Sequence, residues 1–149
     1  MKKSTLLLFF CCIVLFLSTL SSCEKDESIA TRSKDQLIVG NWEINRIQLK
    51  IFQGGVFVKD TILKQNPRPK NYVMFGSGGN FEYKWNLEAT DKGTYQLKGA
   101  DSIITNAIPD AHRFKLLMLT EDLLTLKTTC TDEPMFTGSV VEKYYTLIR

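Results

Sequence analysis

The sequence predicts an all-β protein: an up-and-down antiparallel β-barrel of about eight strands, carried behind an N-terminal export segment. Three observations lead there. From Leu37 onward, apolar residues recur at every second position, the period of a half-buried strand. Turn sequences rich in Gly, Asn and Asp separate successive runs, so that neighbours pair as hairpins. No convincing amphipathic helix breaks the series, apart from a turn of helix near Ser33 to Leu37.

The first element is an export signal. Lys2 and Lys3 form a short basic start, and "LLLFFCCIVLFL" (Leu6 to Leu17) is an unbroken apolar run of about a dozen residues. That is the length of a signal core and short of the ~17–25 residues that span a bilayer. Ser18, Thr19, Ser21 and Ser22 then interrupt it. "Leu20-Ser21-Ser22-Cys23" resembles the lipobox of bacterial lipoproteins. The resemblance implies cleavage before Cys23 and acylation of its thiol and freed amine. Two or three acyl chains hold a membrane stably where one holds only reversibly, since each buried methylene contributes about 0.8 kcal/mol. Behind it, Lys25, Asp26 and Glu27 resemble the basic–acidic–acidic signal that sends some diderm lipoproteins to the cell surface. Residues 1–22 are thus expected to be signal peptide, and 23–35 the lipidated Cys and a charge-rich tether with few large apolar residues. An outer-membrane lipoprotein of a diderm bacterium, exposed at the surface or facing the periplasm, is the expected setting.

Removing the first 22 of 149 residues leaves 127, enough for one domain over 36–149. Removing Lys2 and Lys3 lowers the formal charge from +3 to +1, which excludes a strongly basic nucleic-acid binder. Of four cysteines, Cys11 and Cys12 leave with the signal and Cys23 takes lipid. Cys130 alone remains, so no intrachain disulfide is expected.

The strands follow in order. "GNWEINRIQLKIF" keeps Trp42 and Ile44 on one parity but Ile47, Leu49 and Ile51 on the other, which predicts a bulge or bend between them. "LKQNPRPKNY" (Leu63 to Tyr72) is an exposed loop, stiffened by two prolines. "YVMF" and "NFEYKWNL" form a hairpin across "GSGGN", with Phe81, Tyr83, Trp85 and Leu87 on one face. "GTYQLKGADSIIT" is a second hairpin through Lys98 to Asp101. "RFKLLMLTEDLLTLKTT" is a third, turning at Thr120 to Asp122, and "SVVEKYYTLIR" closes the chain. Closing such a meander into a barrel removes the unpaired edges of an open sheet.

"Gly40-Asn41-Trp42" resembles the Gly-X-Trp of lipocalins. The ordered segments "FGSGGNF", "GTYQLKGADSI", "FKLLMLTEDLLTL" and "EKYYTLIR" look like the small lipocalin-like domains of bacterial lipoproteins. The resemblance covers about Gln36 to Arg149. It implies a closed barrel base formed by Gly40 and Trp42, with Arg149 packed on the Trp. It also implies a small apolar or amphipathic ligand against an interior lined by Phe81, Tyr83, Trp85, Tyr95, Phe114 and Tyr145, at a mouth near Trp85 and Tyr95. The rival expectation is that these aromatics fill the barrel and that the protein binds another protein, as an enzyme inhibitor or an accessory to an outer-membrane complex.

Catalytic and metal chemistry is not expected. "GSGG" lacks the Lys-Ser/Thr and helix of a phosphate loop. Glu121, Asp122, Asp132 and Glu133 lack calcium-loop spacing. Asp110 and His112 have no nucleophile motif beside them. No cofactor is implied.

Overall fold

Alternation of side chains along paired segments builds almost the whole domain. The computed structural model describes residues 32–63, 70–86, 88–108, 111–131 and 134–149. Cys23, Lys25, Asp26 and Glu27, together with Leu87, Asp110, Asp132, Glu133 and most of the Leu63 to Tyr72 loop, lie outside the described residues. A short helix α1 (Lys34–Ile38) precedes β1 (Gly40–Gln53), β2 (Val56–Ile62), β3 (Tyr72–Phe75), β4 (Asn80–Lys84), β5 (Asp91–Lys98), β6 (Ser102–Thr105), β7 (Arg113–Leu119), β8 (Leu123–Cys130) and β9 (Val140–Ile148). A 3₁₀ turn, Pro134–Phe136, sits between β8 and β9.

Every pairing is antiparallel, in the order β2-β1-β3-β4-β5-β6-β7-β8-β9, and β1 pairs again with β9. Eight strands therefore close into a barrel and β2 stands outside the ring. β1 makes this possible by its length. One edge pairs with β9 from Glu43 to Phe52. The opposite edge pairs with β3 over Gly40 to Glu43 and with β2 over Gln48 to Gln53. β2 and β3 thus run along one edge of β1 in succession, and β2 pairs with β1 alone.

The parity switch in β1 has its cause in a register shift between Ile44 and Arg46 opposite β9. The extra residue turns the strand so that Trp42 and Ile44 before it, and Ile47, Leu49 and Ile51 after it, all enter the core. Further shifts fall between Ile51 and Phe52 and between Leu116 and Met118. One expectation needs correcting: the strand through "NFEYKWNL" ends at Lys84. Asn86 follows at φ 50°, in the left-handed region that Asn tolerates better than most residues. Its backbone N–H donates to the Asn71 side-chain carbonyl. Trp85 therefore leaves the ladder and covers an end of the barrel.

The core runs the length of the barrel. Trp42, Phe75, Phe81, Ile103, Leu124, Leu126 and Leu147 are fully buried within it. α1 places Ile38 against one end, beside the turns that follow β3, β5 and β7. At the other end lie the β1–β2 hairpin and the connections after β4, β6 and β8. Gly93 has a specific packing reason: a Cβ there would stand 2.9 Å from both Cβ and N of Ala107. Its absence lets the segment after β6 lie directly on β5.

Candidate functional site

The helix end is built around Trp42. Its indole N–H donates to the Ile38 carbonyl at 2.8 Å, which fixes both the ring and the last turn of α1. The Arg149 guanidinium lies over the indole, 4.0 Å from the ring centroid, the geometry of a cation–π contact. The same guanidinium donates to the carbonyls of Leu37 (2.7 Å), Val39 (2.6 Å) and Glu121 (3.2 Å). Gly40 sits at φ +141° with Arg149 Nη2 only 3.0 Å from where a Cβ would be. Gly40, Trp42 and Arg149 are thus brought together at one end, and Arg149 ties the last strand to the first.

The six aromatics proposed to line a ligand site all face the interior, but in two groups. Phe81 and Tyr95 each pack edge-on against Phe75, with ring centroids 5.2 and 5.0 Å apart, near the helix end. The Tyr95 hydroxyl donates to the Gly76 carbonyl at 3.1 Å. Burial, and after it the charge of Asp35, raise the phenol pKa. Tyr83, Phe114 and Tyr145 form the second group, Tyr145 standing 6.5 Å from Tyr83 and 5.7 Å from Phe114, both edge-on. Trp85 is buried beyond them. The expected common mouth for Trp85 and Tyr95 is not what the register gives. The Tyr95 N–H bonds to the Gly79 carbonyl, and Trp85 lies six residues past Gly79, roughly 20 Å along a strand.

Two recesses lined by described residues open on the surface. One, of about 450 Å³, is lined by Asp35, Val39, Ser77, Gly79, Tyr95, Gln96 and Leu97 at the helix end. The other, of about 320 Å³, is lined by Arg113, Lys115, Lys127, Thr128 and Thr129 on β7 and β8. Beside the second, Lys127 pairs with Glu142, which also accepts the Tyr144 hydroxyl at 2.7 Å. Burial alone would raise the Glu142 carboxyl. The hydrogen bonds from Lys127 and Tyr144, with the charges of Lys127 and Lys50, outweigh it and hold the pKa below the usual 4.5. The same hydrogen bond raises Lys127, against its own desolvation.

Sequence reasoning passed over β2. Val56 (69% exposed), Phe57, Val58 and Ile62 (53% each) project from a strand whose second edge is unpaired among the described residues. The signal was present: "VFVKDTI" is β-branched and aromatic. Its apolar residues are consecutive rather than alternating, so the period test gave it no face. Among the described residues, no group of three or more His, Cys, Asp and Glu side chains is arranged to hold a metal ion. No protein-family model, curated protein or solved structure matches this chain.

Proposed function

We propose that this protein is a protein-binding lipoprotein of the bacterial cell envelope. In this reading it is anchored by acyl chains on Cys23, directed to the surface by Lys25, Asp26 and Glu27, and binds rather than catalyses. The lipobox and the apolar run before it support the anchor. The observation that carries the binding mode is β2, an edge strand with four large apolar side chains in water. Monomeric proteins blunt such edges with charge, proline or a covering element. Here Lys59, Asp60 and Thr61 are the polar residues of the strand, and no proline stands in it. A partner's extended segment would add to the free edge by main-chain hydrogen bonds and take specificity from Val56, Phe57, Val58 and Ile62.

The test is photo-cross-linking in intact cells from a probe at position 58, with a probe at Lys98 as control. A discrete adduct from 58 is expected. It should be lost on Phe57→Lys, and in Cys23→Ala cells, where fatty-acid labelling also disappears. Equal adducts from both positions, or none from 58, would reject the edge as the binding surface.

A second reading has its own observation. The recess beside Tyr95 has the volume of a small-ligand site and combines the apolar Val39 and Leu97 with Gln96, Ser77 and Asp35 as polar handles. A small apolar or amphipathic ligand held there would keep the lipocalin-like role at the surface of the barrel. Native mass spectrometry of protein purified from its host, repeated on Tyr95→Ala, separates the two readings, since only this one leaves a small molecule whose retention depends on Tyr95.

A further inference from the structure

The outer face of β7 and β8 carries a charge arrangement that stability alone disfavours. Lys115 and Lys127 are directly opposed partners on adjacent antiparallel strands. Opposed side chains stand about 5 Å apart at Cβ, and like charges there repel. Arg113 and Thr129 each lie two residues from this pair and on the same face, one on each strand. Three cations and a hydroxyl therefore surround one recess.

The available carboxylates answer this charge unevenly. Lys127 is held by Glu142, on the side away from β7. Lys115 reaches Asp101 only at 3.7 Å, with both side chains more than half exposed. The exposed Arg113 has no ion-pair partner among the described residues. Thr128 fixes the floor, its hydroxyl donating to the Arg113 carbonyl at 2.9 Å. The backbone at Arg113 is thereby locked to β8 while its guanidinium is left uncommitted.

We propose that this recess binds a phosphate group, with Arg113 as the bidentate donor, Lys115 and Lys127 as flanking charges and Thr129 as a hydroxyl donor. A planar guanidinium matches two phosphate oxygens, and ionised donors make the strongest hydrogen bonds. A bound phosphate anion also offsets the Lys115–Lys127 repulsion. The recess is small enough to select the phosphate group and an attached short moiety, and open enough to admit one that projects from a larger molecule. A soluble phosphate ester and a lipid head group share this chemistry. The inference does not depend on what pairs with β2.

The experiment is an NMR titration of the full chain in detergent micelles, following backbone amides, with inorganic phosphate and then glycerol 3-phosphate. Saturable shifts are expected at Arg113, Lys115, Lys127 and Thr129. Removing two of the three charges by R113Q/K115Q should weaken binding about tenfold or more. The K34Q/K98Q variant loses the same charge at the helix end and should bind as the parent does. Shifts that never saturate, or equal weakening in both variants, would mean a diffuse attraction and overturn the site. The source is separated by reconstituting the chain into phosphatidylcholine vesicles with and without phosphatidylglycerol. Phosphatidylglycerol-dependent shifts at the same amides identify a head group. Shifts only with the soluble phosphates identify a free ester. Either pattern upholds the recess.

Discussion

Replacing Arg149 by Met keeps the aliphatic stem and removes the guanidinium. The loss can be worked from four contacts. Three carbonyls, of Leu37, Val39 and Glu121, lose a donor, and the Trp42 ring loses the cation 4.0 Å above it. Arg149 is exposed at its rim, so each carbonyl can recover water. The lower part of the usual hydrogen-bond range, about 0.5–1 kcal/mol apiece, therefore applies. The cation–π contact adds about 0.5–1 kcal/mol. Together the change should cost roughly 2–4 kcal/mol, a fall of roughly 10–15 °C in Tm for a domain slightly over 100 residues long. Chemical denaturation of Arg149→Met, Trp42→Leu and the double variant measures it. The cycle should return a coupling of about 0.5–1 kcal/mol between the two side chains. If Arg149→Met lowers Tm by less than about 2 °C, or the two changes add, the closure of the helix end by Arg149 is wrong.

Gly93→Ala should destabilise the domain by about 1–3 kcal/mol through overpacking, because its Cβ meets the Ala107 backbone as well as its side chain. Ala107→Gly should restore only part of that loss, and urea titration of the single and double variants checks both. The Lys127–Glu142 pair predicts a pH dependence with two limbs. The Glu142 pKa is depressed, so its contribution is present above 4.5 and is lost as pH falls through the lower folded value. The Lys127 pKa is raised, so its contribution is present below 10.5 and is lost as pH rises through the higher folded value. The stability difference between parent and Lys127→Met should therefore be flat between those limits and shrink outside both. As the pair is part-exposed, the plateau should be below about 1 kcal/mol. A difference unchanged at pH 2 would refute the pairing.

Elements whose faces are written in their own period were legible in one dimension. Phe81, Tyr83, Phe114 and Leu126 each stand between polar neighbours, and each faces the core, fully or half-buried, as that alternation requires. The turns at Lys98–Asp101 and Thr120–Asp122 are local chemistry and were readable without tertiary context. The bend in β1 was readable too, because a change of parity on one continuous strand has no other cheap explanation. The remaining features depend on which strands meet. The separation of Trp85 from Tyr95 follows from the β4–β5 register, a relation between segments that no single run encodes. The burial of Trp85 off the ladder depends on Asn86 and Asn71, fifteen residues apart. The exposure of β2 is a consequence of β1 outrunning its barrel partner β3, since the apolar character of "VFVKDTI" is the same whether or not a neighbour covers it. The opposition of Lys115 and Lys127 is likewise invisible in one dimension. Each lysine alone reads as a solvated surface charge, and only the pairing of β7 with β8 sets them face to face.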